Sequence, residues 1–324
     1  MKAENFFEGK EILITGGTGT IGTALTKQLS QYTCRGIRLY SRDEEKHRVS
    51  MEKFKDVKNV DISYLIGDVF DKERLSRAMN GVDIVIHTAA LKQVPACEEN
   101  PIEAVKTNIT GTVNVINTAI DNDVERVFFI STDKAVMPIN LYGATKCVAE
   151  KITLDANQYS PNKTKFSVCR YGNIIGSRGS VIKMWNDSFT KDQPLKITDS
   201  EMTRFWITKE FAVKFILHCI SNMKGGETFV PLMKSCTMHE LFMAFCEYKQ
   251  MNYDYPTQIV GNRKGEKRHE DITLEDENIS FVDSAIQFIS LNSCHMTSES
   301  TLVSGDFFDK QELIEMIKGV LENG

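Results

Sequence analysis

The chain has 324 residues, of which 41% are hydrophobic and 26% charged, with a net charge of −5. This ordinary globular composition excludes long disorder, collagen-like repeats and coiled coil. A chain this long buries about 75% of the surface its unfolded form exposes, so one large domain or two lobes can hold a core without disulfides.

The acidic balance, with Arg263–Arg268 as a short mixed cluster, argues against nucleic acid as a partner. No membrane association is expected, because no apolar run reaches the roughly 18 residues of a span. Lys214 and His218 interrupt the run Phe211–Ile220, and Met1–Asn5 has no apolar stretch of leader type. The eight cysteines form no CxxC and have no zinc spacing to a histidine. The expectation is therefore buried thiols, no metal and a cytoplasmic protein.

Taken in chain order, short apolar strands alternate with helical patterns. Strands are predicted at Glu11–Thr15, Ile37–Tyr40, Ile62–Ile66, Ile84–His87, Arg126–Ile130 and Phe166–Cys169. Strands separated by helix-length intervals predict an α/β fold, a Rossmann-type doubly wound parallel sheet. Pro101–Asn122 reads as one helix in which Val105, Ile109, Val113, Ile116 and Ile120 recur at helical spacing. A core-facing stripe alone would account for them.

After Arg170 the rhythm changes. Residues 171–180 read as a loop, Lys209–Asn222 as an amphipathic helix, Glu227–Val230 as a strand and Lys310–Leu321 as a last helix. A smaller mixed α/β C-terminal lobe is expected as the second wall of a cleft. Residues 1–172 with 207–232 would form the dinucleotide-binding domain, and 173–206 with 233–324 the substrate lobe.

Gly16, Gly19 and Gly22 follow the first strand and open a helix. In a first βα unit this spacing predicts a pyrophosphate site: a tight turn, a close backbone approach and close helix–strand packing. The helix N-terminus would face the phosphates. The second strand runs into Ser41, Arg42, Asp43 and, beyond, Lys46. Ser41, Arg42 and Lys46 suit the 2′-phosphate of NADP, whereas Asp43 is the competing signal for NAD. Asp68, after the third strand, is a candidate for the adenine edge and equally for a helix cap.

Tyr142 and Lys146 form Y-x-x-x-K on a predicted helix, which puts both on one face. A nearby ammonium would lower the tyrosine pKa toward the working range of a general base. Ser131-Thr132-Asp133-Lys134 ends the fifth strand, where a doubly wound sheet holds its ligands. A sugar oxidation needs only the hydroxyl of Thr132. Asp133 and Lys134 add an acid and a base, which an elimination of water would use.

The glycine loop with the Tyr142/Lys146 pair resembles the extended short-chain dehydrogenase/reductase superfamily. The segments TGGTGTIG, YSRDEEK, HTAALKQVP, STDKAV, NLYGATK, RYGNIIGSRGSVI, DSEMTRFWIT and RKGEKRHE resemble, more narrowly, the UDP-N-acetylglucosamine 4,6-dehydratases of bacterial surface-sugar pathways. The chain is short and keeps Tyr142, so it is similar to the soluble, C5-inverting type and not to the long membrane-anchored members.

The resemblance implies an order of events. Tyr142, with Lys146 beside it, takes the O4 proton and Thr132 bonds that oxygen. Hydride leaves C4 for NADP+, Lys134 removes the C5 proton and Asp133 protonates the departing 6-hydroxyl. It also implies cofactor contacts beyond the glycine loop, where Thr18, Thr20 and Ile21 join the glycines. These come from Ser41, Arg42, Lys46, Asp68 and Val69, from Thr88, Ala89 and Lys92, from Ile130 and Ser131, from Tyr142 and Lys146, and from Ile174.

On the sugar-nucleotide side it implies Lys92, Asn173, Thr198, Met202, Arg204, Arg263 and Glu266, with the two arginines on the diphosphate and uridine ribose. Arg178 reads as structural or ligating alike. Lys264 replaces a usual proline, and Leu291–Ser304 matches only loosely. A homodimer or homohexamer is the implied assembly. The rival readings are a sugar-nucleotide 4-epimerase, which would leave Asp133 and Lys134 unexplained, and a non-enzymatic NADP sensor, which would not need the tyrosine and lysine.

Overall fold

The computed structural model describes residues 3–161, 163–177, 179–274, 277, 279–283, 286–290 and 307–323. Arg178, Cys294 and the Leu291–Ser304 segment lie outside the described residues. The strands are β1 (Glu11–Thr15), β2 (Gly36–Ser41), β3 (Asp61–Ile66), β4 (Ile84–His87), β5 (Arg126–Ile130), β6 (Lys165–Cys169), β7 (Asn173–Ile174), β8 (Leu195–Ile197), β9 (Thr203–Ile207), β10 (Glu227–Pro231), β11 (Ser235–Thr237), β12 (Thr257–Ile259), β13 (Ile279–Asp283) and β14 (Ile286–Ser290).

The main sheet runs β13-β14-β10-β6-β5-β4-β1-β2-β3. From β10 to β3 every pairing is parallel, whereas β14 and β13 add an antiparallel edge. The chain order reverses between β1 and β4, so a crevice opens beyond their C-terminal ends. Two small sheets, β11-β9-β7 and β12-β8, belong to the second half.

Strand β1 explains the layering. Ile12, Leu13 and Ile14 are all fully buried, a continuous apolar run suited to a sheet covered on both faces. Ile12 and Ile14 pack in a cluster with Leu25, Phe215 and Ile216, whereas Leu13 packs with Val115, Ile116 and Phe166. Each such aliphatic residue contributes about 1.5–3 kcal/mol by burial. A third cluster gathers Trp185, Met202, Trp206, Phe242, Phe245 and Ile317 from the second half. Among the described residues, no helix is long and apolar enough to cross a membrane.

Two expectations change. The loop expected over 171–180 contains β7, which pairs in parallel with β9. The helix expected over Pro101–Asn122 is two α-helical stretches, Pro101–Val105 and Gly111–Asp121, joined by a π turn at Lys106–Thr110. The wider turn rotates the stripe out of phase. Ala104, Thr107, Asn108, Thr112, Val115, Ile116 and Ala119 face inward, while Ile109 and Val113 are half-buried and Val105 is 37% exposed. A core-facing stripe therefore does not account for all five apolar residues.

Candidate active site

The glycine loop bridges the two strands at the reversal. Gly16 turns with φ of +68°, in the left-handed region, and its N–H donates to the Tyr40 carbonyl at 2.7 Å. A Cβ on Gly16 would lie 2.8 Å from Thr88 Oγ1 and 2.9 Å from the Ala89 nitrogen. Thr88 in turn donates to the Thr15 carbonyl at 2.7 Å, so loop and β4 terminus form one wall.

Gly22 does not serve strand packing as expected, for its added Cβ would sit 2.5 Å from the Gly17 carbonyl oxygen. Gly17, which the spacing argument passed over, is the residue that touches the sheet, with Leu39 and the Ile14 carbonyl 2.9 Å from its added Cβ. The helix Thr20–Leu29 starts at Gly19 with no side chain capping it. Its first amides and dipole thus face the loop, and these are the groups that would hold a pyrophosphate.

At the end of β2, Asp43 is committed to the helix Glu44–Phe54. It accepts from the Lys46 N–H at 3.0 Å and pairs with Lys46 Nζ at 2.5 Å. Those bonds to Lys46 hold its carboxyl below the usual range. Ser41 Oγ lies 2.8 Å from Thr18 Oγ1 and 2.9 Å from His47 Nε2. Arg42 is exposed and pairs with Asp68 at 3.3 Å. Asp68 itself accepts from the Phe70 N–H at 2.9 Å, while Asp71 is the residue that caps the following helix. Val69 is buried, against Gly111.

Strand β5 ends in the reactive cluster. Thr132 heads a single 3-10 turn, Asp133–Ala135, and its hydroxyl donates to Asp133 Oδ1 at 2.8 Å. Lys134 Nζ donates to the same oxygen at 3.1 Å. The helix Leu141–Asp155 is capped by Asn140, which accepts from the Gly143 N–H at 2.8 Å. Gly143 packs so tightly on the Lys134 carbonyl that any side chain there would collide with it. This contact locks Tyr142 against the turn.

Burial raises the Tyr142 pKa, and the Thr132 hydrogen bond opposes it. Lys146 shares the helix face but donates to the Ile130 carbonyl at 2.6 Å, with its amine 3.8 Å from the Phe129 ring centroid. Burial lowers its own pKa from 10.5 to about 7. Ser131 Oγ is buried without a hydrogen-bond partner.

The substrate-side residues are split by the fold. Asn173 and Ile174 form β7, half-buried and paired with Trp206 and Ile207 of β9. Lys92 is exposed in the loop after β4, and Ile21 and Ile130 are buried under the site. Thr198 Oγ1 touches Met202 Sδ at 3.5 Å, and Met202 is buried. Arg204 is 5% exposed and largely satisfied within the chain. It pairs with Glu266 at 3.2 Å and donates to the carbonyls of Lys267 at 2.9 Å and Arg268 at 3.1 Å. Its first duty is therefore to hold the 265–270 loop. Arg263 is exposed and joined to Glu266 through its backbone: its N–H donates to the Glu266 carboxylate at 3.4 Å, and its carbonyl accepts from the Glu266 N–H at 3.0 Å.

Two site residues were not singled out in the sequence. Asn108, in the π turn, accepts from the Leu91 N–H at 2.8 Å and donates to Thr145 Oγ1 at 2.9 Å, fixing the wall after β4. Glu270 is buried with Oε1 3.4 Å from Lys134 Nζ. The available signal was its position closing RKGEKRHE, a charged residue two before apolar Ile272. Burial lowers the Lys134 ammonium pKa, but Asp133 and Glu270 more than reverse this, and it ends above the ordinary lysine value.

Comparisons with known proteins agree with this fold. The family model described as polysaccharide biosynthesis protein matches residues 12–290. An inverting UDP-N-acetylglucosamine 4,6-dehydratase of Campylobacter jejuni (strain 81-176) is 44% identical over 298 residues, 89% of this chain and 86% of its own. A protein of Rickettsia felis named UDP-glucose 4-epimerase is 38% identical over 279 residues, 84% of this chain and 80% of its own. The X-ray structure of Pen from Bacillus thuringiensis superposes with a TM-score of 0.87 at 34% identity, covering 97% of this chain and 99% of that one. With the crevice at the strand reversal and the hydroxyl, acid and amine gathered beside Tyr142, this chain belongs to the polysaccharide biosynthesis protein family, in company with the inverting UDP-N-acetylglucosamine 4,6-dehydratases.

Proposed function

We propose that this chain is an NADP-dependent hydro-lyase that converts UDP-N-acetylglucosamine to the C5-inverted 4-keto-6-deoxy sugar nucleotide. The observation that carries the reading is the Asp133–Lys134 pair, 3.1 Å apart, on the turn packed against Tyr142. An oxidoreductase needs the tyrosine alone, whereas removing a C5 proton and expelling a 6-hydroxyl needs a base and an acid together. The name of the Campylobacter relative supports the same chemistry.

NADP, held at Gly16–Gly22, at the Ser41–Arg42 end of β2 and along Thr88–Ala89, supplies the hydride acceptor and donor for C4 and C6. The commitment of Asp43 to its helix supports NADP over NAD, with exposed Arg42 exchanging Asp68, 3.3 Å away, for a 2′-phosphate. Tyr142 takes the O4 proton while Thr132 donates to that oxygen. Lys134 takes the C5 proton, made acidic by the new ketone, and Asp133 protonates the departing hydroxyl. C5 is then reprotonated from the opposite face.

Asn173, Thr198, Met202, Arg204, Arg263 and Glu266 form the sugar-nucleotide wall, carried by the cluster around Trp185 and Trp206; of the expected lobe, residues 173–206 with 233–324, strands β13 and β14 instead extend the main sheet beside β10. Lys92 closes it from the β4 side. The half-exposed Val105, Ile109 and Val113 stripe pairs two subunits into at least a dimer.

The test is proton NMR of the protein with UDP-N-acetylglucosamine in D2O and no added cofactor. A new C6 methyl with deuterium at C5 is expected, and Lys134→Ala should abolish it while NADP binding persists. The Rickettsia relative favours a second reading, 4-epimerisation. An inverted C4 without a methyl signal would establish that instead.

A further inference from the structure

Glu270 lies on a loop fastened from two sides. The Thr203 N–H donates to the Arg268 carbonyl at 3.1 Å, and Thr203 Oγ1 lies 2.8 Å from His269 Nδ1. On the other side, Lys267 Nζ donates to the Val136 carbonyl at 2.9 Å and Asn140 to the Gly265 carbonyl at 2.7 Å. The double anchorage presses Glu270, 7% exposed, onto Lys134.

The result is one amine between two buried carboxyls, at 3.1 Å from Asp133 and 3.4 Å from Glu270. Each carboxyl keeps one buried oxygen without a hydrogen-bond partner, Asp133 Oδ2 and Glu270 Oε2. Two carboxylates and one ammonium would bury a surplus negative charge, which costs several kcal/mol unless it is neutralised. The other charges facing Glu270 are Arg204 from β9 and Lys267 from its own loop. Both already have carboxylate partners, Glu266 at 3.2 Å and Asp271 at 3.4 Å. A proton is the remaining compensation, and burial raises the Glu270 pKa accordingly.

This bears on a difficulty in the proposed reaction. Lys134 must be a neutral amine to take the C5 proton and Asp133 a neutral acid to give one up, yet two ionised carboxylates would hold Lys134 as an ammonium. We propose that Glu270 is a positioning residue that stays protonated, so that Lys134 can pass a proton along its hydrogen bond to Asp133 and arm base and acid in one internal transfer.

The step balances. One Lys134 N–H bond breaks and one Asp133 O–H bond forms, while Glu270 keeps its proton. After elimination Lys134 holds the C5 proton, and Asp133 is again a carboxylate, its proton having left with water. When Glu270 ionises, Lys134 is held as ammonium and the transfer fails.

The inference rests on the dehydratase reading, and Glu270→Gln tests it separately. Glutamine has the shape and charge of the protonated acid. Wild-type kcat is expected to fall about tenfold per pH unit above the Glu270 ionisation, as for one essential proton. The variant should keep kcat below that ionisation, lose the alkaline fall and leave KM unchanged. Infrared spectra should show a protonated carboxyl band in wild type that Glu270→Gln lacks.

A variant profile identical to wild type, or kcat lost at every pH in a folded variant, overturns the inference. So does the absence of the band. If wild type yields no C6 methyl, the dehydratase reading fails instead, and the infrared band alone then decides the state of Glu270.

Discussion

Lys146→Met should make the protein more stable near neutral pH and no more stable in mild alkali. Lys146 is fully buried, with its pKa lowered from 10.5 to about 7 by burial. Between those values the unfolded chain binds a proton that the native chain does not, so native stability rises with pH through the window and the penalty is complete below it. Each unit is worth about 1.4 kcal/mol, which gives a penalty of about 4 kcal/mol at pH 7 and about 2 kcal/mol at pH 9.

Methionine removes this penalty but leaves the Ile130 carbonyl, now bonded at 2.6 Å, without its donor. That loss costs about 1–3 kcal/mol. The net expectation is a gain of about 2 kcal/mol at pH 7 that shrinks to about zero at pH 9. Urea unfolding followed by Trp185 and Trp206 fluorescence, without ligand and at fixed protein concentration, measures it. A variant-to-wild-type difference that is constant with pH, or that widens in alkali, would refute the argument.

Tyr142→Phe should lower kcat about 10²- to 10⁴-fold in the NMR assay, because the ring still fills its pocket and only the proton acceptor is lost. Gly22→Ala drives a Cβ to within 2.5 Å of the Gly17 carbonyl. It should cost about 1–3 kcal/mol in unfolding and weaken NADP in a fluorescence titration. Arg42→Ala should narrow the preference for NADP over NAD by about tenfold in measured Kd ratios. Ile109→Glu should shift sedimentation to the monomer, since that side chain lies on the half-exposed side of the stripe.

Local chemistry made much of this protein legible. The buried run Ile12–Ile14 can only be an inner strand, and three glycines directly after it make a turn that few other functions require. The Tyr142/Lys146 spacing fixes a shared helix face, and the parallel order from β1 to β6 follows from helix-length gaps between apolar runs.

Other features depend on contacts between distant segments. Asp43 looks like a cofactor ligand in the sequence, and only the direction of the following helix makes it a cap. The stripe from Val105 to Ile120 reads as one helix, and only Asn108 meeting Leu91 shows where the π turn re-phases it. Lys146 lies beside Tyr142 by periodicity, yet the Ile130 carbonyl decides where its amine points.

Glu270 is the clearest case. It lies far along the chain from Lys134, and no pattern of residues joins them. Strand periodicity and turn chemistry act over a few residues and are written locally. A shared proton depends on two buried groups coming within hydrogen-bond reach, and only the packing of the 265–270 loop between β9 and the turn after β5 brings that about.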